Sequence, residues 1–257
     1  MGSPLVGRTA LVTGSDRGIG RAIAERLARD GALVAVHYAT SPDAAREVVA
    51  GIEAAGGRAF AVGADFTVPG DADRLASEVL AGMRRSDRGE RVDILVNNAA
   101  VLAGVAFDEV TPELFDQLMA VNAKAPLFLL RRLLPAIPTG GRVVNVSTGL
   151  TRFANPAELV HAMSKAALEM LTLHLARPLA ERGITVNTVA PGVTDNGGRQ
   201  YDDPALRAAL GRLSVFGRIA EAAEIADVVA FLAAPDSRWI TGTWLDATGG
   251  TLLGSLG

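Results

Sequence analysis

The sequence predicts an α/β fold in a single domain, a doubly wound parallel sheet of Rossmann-like type flanked by helices, and three observations carry that expectation. Short β-branched runs alternate with longer segments of helical periodicity along the chain. Several of these runs show no polar alternation, as expected of strands buried on both faces. The 257 residues are 49% hydrophobic and 21% charged, enough for one sizeable core, and no repeat, low-complexity linker or composition shift divides them.

The elements follow in order. TALVTG (9–14) reads as the first strand. In GIGRAIAERLARDG (18–31), Ile19, Ile23 and Leu27 recur on one helical face and Gly31 supplies the stop. ALVAVHY (32–38) is the second strand, after which Ser41 is placed to cap a helix opened by Pro42. RAFAVGAD (58–65), VDILVNN (92–98), GRVVNVS (141–147) and ITVNTVAP (184–191) read as further strands. AELVHAMSKAALEM (157–170) reads as an amphipathic helix with His161 and Lys165 four positions apart on one face. The stretch 193–215, with Asp195, Arg199, Asp202 and Asp203, is expected to form an inserted loop or lid with a polar rim. ITGTWLDATGGTLLGSLG (240–257) fits either an interface or a last core strand.

Composition narrows the function. Lys and Arg total 25 against 28 Asp and Glu, for a formal charge of −3, and the basic residues form no stripe, so nucleic acid is not an expected partner. The absence of cysteine excludes disulfides, thiolate zinc sites and cysteine nucleophiles. The three histidines, His37, His161 and His174, lie far apart, so no metal site is expected and His174 reads as structural. The N-terminus lacks a signal-peptide pattern and no apolar run is long enough to span a membrane; a cytoplasmic protein is expected.

The segment TGSDRGIG places Gly14, Gly18 and Gly20 between a strand and a helix, with Ser15, Arg17 and Ile19 among them. Backbone without side chains lets a ligand approach closely, and free N–H groups at a helix start favour an anion such as a pyrophosphate. The spacing is G-x-x-x-G-x-G, and the plain alternative is a turn that only reverses the chain. The second strand ends at His37, Tyr38 and Ala39, with no acidic residue before Asp43 to hold a ribose 2′-hydroxyl. Arg17 offers a cation, and Thr40 and Ser41 offer hydroxyls, to a 2′-phosphate. NADP(H) is the expected cofactor, against the alternative of ordinary capping residues and a solvated arginine.

With TGSDRGIG at 13–20, the segments GADFT (63–67), NNAA (97–100), VNAKAP (121–126), VVNVST (143–148), SKAA (164–167), VNTVAPGVT (186–194) and ITGTWLDATGG (240–250) resemble the short-chain dehydrogenase/reductase family over nearly the whole chain. The resemblance implies a seven-stranded Rossmann-type domain, hydride transfer to or from a nicotinamide, a small-molecule substrate and a homotetramer or homodimer. It gives Asp65, beside Phe66, the adenine contact, Asn97 and Ala99 the groove wall, Lys165 the ribose hydroxyls, and Pro191, Gly192, Val193 and Thr194 the carboxamide. It also implies catalytic roles for Asn122, Thr148 and Lys165.

Two positions depart from the family pattern. NNAA carries Ala100 where a glycine is usual, and the catalytic Tyr-x-x-x-Lys has His161 in the tyrosine's place. A neighbouring ammonium makes a phenol more acidic but disfavours an imidazolium, so His161 beside Lys165 is expected to be neutral and a poor proton donor. Three readings follow. Glu158 or Asp195 offsets the lysine and His161 remains the acid, in carbonyl reduction. Alternatively hydride goes to an imine- or hemiaminal-derived iminium carbon that needs no proton, which the lost donor favours. In the third, the chain is a catalytically silent NADP(H) sensor or scaffold. Tyr201 is a further, lesser candidate to replace the missing phenol.

Overall fold

The computed structural model describes residues 3–86 and 88–254. Its core is a seven-stranded parallel sheet in the order β3-β2-β1-β4-β5-β6-β9. The strands are β1 (Thr9–Val12), β2 (Leu33–Tyr38), β3 (Arg58–Gly63), β4 (Ile94–Asn97), β5 (Arg142–Val146), β6 (Thr185–Pro191) and β9 (Trp244–Ala247). Two-residue strands β7 (Thr194–Asp195) and β8 (Ala220–Glu221) pair separately. The helices are α1 (Gly18–Arg29), α2 (Pro42–Ala54), α3 (Asp71–Arg85), α4 (Pro112–Met119), α5 (Ala125–Leu133), α6 (Leu159–Ala180), α7 (Pro204–Gly211) and α8 (Ala222–Ala233).

Strand alternation sorts the core into two layers. Ala10, Val12, Val34, Val36, Ile94 and Val96 pack with Ile23 and Leu27 of α1, Val48 of α2 and Val229 of α8. Leu11, Leu33, Ala35 and Leu95 point the other way, toward Leu75 and Val79 of α3, Leu129 of α5 and Leu179 of α6. Both faces are covered, so β1, β4, β5 and β6 are buried throughout, including polar residues such as Asn145, Asn187 and Thr188. The edge strands β3 and β9 are more open, and the C-terminal segment supplies the last core strand. Gly31, at φ 102°, ends α1 as expected.

Two expectations are corrected. Ser41 occupies the N-cap of α2 but its side chain makes no capping bond. The 157–170 helix begins at Leu159 after a short 3₁₀ turn, and it is not cleanly amphipathic: His161, Ser164, Lys165 and Glu169 are buried alongside Val160 and Leu168, while Met163, Met170 and Leu173 are exposed.

At the end of the sheet away from the C-terminal strand tips, buried Asp93 gathers Arg8 at 2.7 Å, Arg91 and both the amide and hydroxyl of Thr9 at 3.0 Å. Burial alone would raise the carboxyl's pKa, but these bonds outweigh it and hold the pKa below the usual value. Asp93→Asn is expected to cost about 3–5 kcal/mol at pH 7, because it leaves buried donors and cations uncompensated. A folded pKa depressed below the unfolded one stabilises above about pH 4 and is lost as pH falls through the folded value, so the wild-type advantage should vanish in acid. Urea unfolding of both proteins from pH 3 to 7 checks this.

Candidate functional site

A groove of about 670 Å³ opens where the strand order reverses, between the C-terminal ends of β1 and β4. Its floor is the turn joining β1 to α1. Gly14 and Gly18 adopt φ of 62° and 55°, and a Cβ on Gly20 would lie 2.0 Å from the Gly14 carbonyl oxygen. Only glycine lets the turn fold this tightly. Helix α1 starts at Gly18 with no side-chain cap and no acidic residue in its first turn, so its leading N–H groups are left for an anion in the groove.

His37 holds this turn from below. Its Nδ1 accepts from the Gly14 amide at 2.9 Å, and its Nε2 lies 2.9 Å from the Ala64 carbonyl, so Nε2 carries the proton. The ring stacks on Phe66 at 4.8 Å, and burial pushes its pKa down to about 4. A neutral imidazole in this tautomer is the form that can accept from Gly14.

Of the residues expected at a cofactor, Gly14, Arg17, Gly18, Ile19, Gly20, His37, Ala39, Thr40, Asp65, Phe66 and Ala99 line the groove. Others fall outside its lining. Ser15 is fully buried, its hydroxyl donating to Val12 and accepting from the His37 amide. Tyr38 lays its ring over Gly63, and Ser41 lies beyond Thr40 on the way into α2. Asn97 turns into the core, donating to Asn145 Oδ1 at 2.8 Å. The wall is built instead by Asn98, whose amide donates to the carbonyls of Thr13 and Gly14, and by Ala99 and Ala100. Pro191, Gly192, Val193 and Thr194 continue β6 toward segment 196–198, which crosses the glycine turn: a Cβ on Gly18 would meet the Asn196 carbonyl oxygen at 3.1 Å. Asn98 and Asn196, on loops, and Gln117 and Val121, in α4 and the π-helical turn after it, also line the groove and carry no sign of it in sequence, since chain order does not say which way a loop residue points or which helix face meets the groove.

At the inner end of the groove Val101 joins it to a buried polar cluster. Asn122 sits in a π-helical turn, Ala120–Lys124, between α4 and α5; such a bulge turns a side chain out of helical register. Its Oδ1 accepts from the Val101 amide at 2.8 Å, and its Nδ2 donates to the Val101 carbonyl at 2.9 Å and to Ser164 Oγ at 2.9 Å. The same carbonyl lies 3.0 Å from His161 Nδ1. A carbonyl only accepts, so Nδ1 carries the proton and Nε2 is left with its lone pair. Burial, and then the positive charge of Lys165, push the His161 pKa down to about 4. Among the described residues neither Glu158 nor Asp195 hydrogen-bonds this ring: Asp195 is engaged by Arg207, and Glu158 Oε2 is buried without a partner.

Lys165 is buried, donates to the Val146 carbonyl at 2.7 Å, and has a pKa lowered to about 7 by burial, against which the Glu169 carboxylate acts. Thr148, just beyond β5, is half-buried; its hydroxyl oxygen accepts from the Leu150 amide at 3.3 Å. Tyr201 lies in a short 3₁₀ turn before α7 and is half-buried.

A family model described as "Enoyl-(Acyl carrier protein) reductase" matches residues 14–251. The chain belongs to the short-chain dehydrogenase/reductase family. Members similar to it include the angucycline C-6 ketoreductase LanV, solved with bound NADP, at 57% identity and a TM-score of 0.96 over 99% of each chain. The reductase LugOII, which catalyses keto-reduction at C1 during lugdunomycin biosynthesis, is 53% identical with a TM-score of 0.95, over 97% of this chain and 99% of its own. The hydroxynaphthalene reductase arp2 of Aspergillus fumigatus is 36% identical over 93% of this short-chain dehydrogenase/reductase and 90% of the relative.

The tautomer of His161 can be read directly by ¹⁵N NMR of labelled histidine. Between pH 5 and 8 its nitrogens should show a protonated Nδ1 and a bare Nε2, with a titration midpoint near 4. A midpoint near the ordinary 6.5 would contradict the geometry.

Proposed function

We propose that the protein is an NADPH-dependent reductase that delivers hydride to the carbonyl carbon of a small organic ketone, in secondary metabolism, with His161 standing where the family has its proton-donating tyrosine. The observation that carries this reading is the Val101 carbonyl, which ties the nucleotide-sized groove to His161 and Asn122 through two hydrogen bonds. The similarity to ketoreductases supports C=O as the group reduced.

NADPH in the groove supplies the hydride at its nicotinamide ring. The glycine turn and the start of α1 take the pyrophosphate, Asp65 and Phe66 flank the adenine, and Arg17 and Thr40 take the 2′-phosphate. The fit is electrostatic as well as spatial: Arg17 approaches Asp16 only at 3.4 Å and keeps most of its guanidinium in solvent, and no acid occupies residues 37–41. Lys165 holds the ribose, and Pro191 to Thr194 the carboxamide end. The segment 193–215 serves as a lid, its start pinned by Arg207 to Asp195 and Glu221.

His161 is not the acid, since its one ring proton is given to Val101. Thr148 and Asn122 hydrogen-bond without ionising near neutral pH. Lys165, with a pKa near 7, is the matched proton source for the alkoxide that hydride addition creates. The Nε2 lone pair of His161 then orients substrate by accepting from one of its donors. Hydride delivery to an iminium carbon is the second reading, favoured by the same bare Nε2, because such a substrate needs no proton. Leu127, Phe128, Met163, Met170 and Leu173, apolar and exposed on α5 and α6, support a homotetramer or homodimer.

Fluorescence titration should give tighter binding of NADPH than NADH, and Arg17→Ala should weaken NADPH alone by about 1–3 kcal/mol. Equal affinities would overturn the cofactor reading. On a panel of ketones, cyclic imines and hemiaminals, turnover with ketones is expected; imine turnover alone would favour the iminium reading, and inertness throughout a silent binding protein.

For the proton source, His161→Phe should keep kcat within about tenfold on a ketone substrate, well short of the 100- to 10,000-fold loss typical of a missing general acid. The wild-type kcat should fall as pH rises through about 7, the lysine range, and not through the range near 4 of the imidazole. A kcat already lost by pH 6 would return the role to His161.

A further inference from the structure

Glu169, one helical turn beyond Lys165 on α6, is buried. Its Oε1 alone lies 2.6 Å from Ser147 Oγ, 2.8 Å from Thr151 Oγ1 and 2.8 Å from Trp244 Nε1. These partners come from three places in the fold: the end of β5, the turn after it, and β9. Oε2 meets Arg152 at 3.3 Å, and that guanidinium stacks over the Trp244 ring at 3.7 Å. Ser147 and Thr151 bracket Thr148. One carboxylate oxygen therefore clamps both sides of the turn that carries the Thr148 hydroxyl, and does so from the same helix as Lys165.

We propose that Glu169 is a positioning residue for the reductase reaction: it is the buried counter-charge of Lys165 and the clamp on the Thr148 turn, so it sets both the charge of the proton source and the place of the neighbouring hydroxyl. The proposal rests on the reductase reading for its catalytic meaning only. Helical spacing puts the Glu169 carboxylate and the Lys165 ammonium on one buried face of α6, one turn apart, with no direct ion pair between them among the described residues. Burial strips Lys165 of solvent and drives its ammonium toward the neutral amine, and the anion acting against this is Glu169. The other groups around the lysine do not substitute for it: His161 on α6 is neutral, Val146 of β5 offers a carbonyl, and Asn122 and Thr148 are uncharged. Arg152, beyond the carboxylate, is a cation that competes for it. The three donors to Oε1 are neutral, so they hold the carboxylate without cancelling its charge.

The chain has two lysines, exposed Lys124 and buried Lys165, so ¹³C-lysine labelling gives two ε-methylene resonances that Lys124→Arg tells apart. In the protein without nucleotide, Glu169→Gln, which keeps an acceptor oxygen but loses the charge, should lower the Lys165 midpoint by about one pH unit. Arg152→Gln, at a half-exposed position, should raise it, and serves if Glu169→Gln does not fold. Ser147→Ala with Thr151→Val, which removes two donors and keeps the charge, should leave the midpoint in place. With NADPH and a ketone, the fall of kcat at rising pH should move down with Glu169→Gln and slow turnover at pH 7.5 by several-fold. A midpoint indifferent to Glu169→Gln and Arg152→Gln overturns the proposal, as does an equal drop in the hydroxyl variant. Shifted midpoints in a protein that reduces no ketone would leave the charge pairing standing and remove only the reductase reading.

Discussion

The Val101 carbonyl accepts from both Asn122 Nδ2 and His161 Nδ1, and the character of the inner site depends on that sharing. A carbonyl with two donors is satisfied, and a buried imidazole with one proton can give it only once. Once Nδ1 is committed, Nε2 is an acceptor. Burial and the adjacent lysine make the doubly protonated ring unfavourable near neutral pH, so the ring stays in that form. A residue type usually taken for an acid or base at neutral pH is thereby converted into a fixed hydrogen-bond acceptor.

His37 obeys the same rule with the opposite tautomer. There the Ala64 carbonyl takes the Nε2 proton, and the Nδ1 lone pair is turned to the Gly14 amide. The two histidines use one physical device, a backbone carbonyl that chooses the tautomer, to shape the two ends of the site. One steadies the glycine turn at the floor of the groove; the other leaves a lone pair free beside Val101, at the groove's inner end. Both work because desolvation keeps the rings neutral.

Buried carboxylates organise the remaining polar groups. Asp93 collects cations and a threonine at one end of the sheet, where the groups are remote from the groove and the result is stability. Glu169, near the other end, collects three neutral donors on one oxygen and Arg152 on the other. The difference lies in the balance of partners: two guanidinium groups bind the first, whereas one oxygen of the second is held by two hydroxyls and an indole and the other by a single half-exposed guanidinium.

The sequence by itself determined the doubly wound sheet, the strand-turn-helix that opens it and the family, because apolar periodicity and glycine placement are local properties that burial on both faces makes visible. It also placed His161 and Lys165 on one face, since helical spacing is local too, and made His161 a poor donor from the ammonium beside it. Direction of side chains was not legible. Asn97 and Asn98 are adjacent and alike in sequence, yet one bonds across to Asn145 and the other walls the groove. The same limit hid the inward turn of Ser15, the π-helical turn that aims Asn122, and Glu169, an ordinary helix carboxylate until β5 and β9 bring Ser147 and Trp244 to it. Only the tertiary structure decided which proton each histidine keeps and which charge each buried group feels, because tautomer and pKa are set by partners distant in sequence and by exclusion of water, neither of which the local chain encodes.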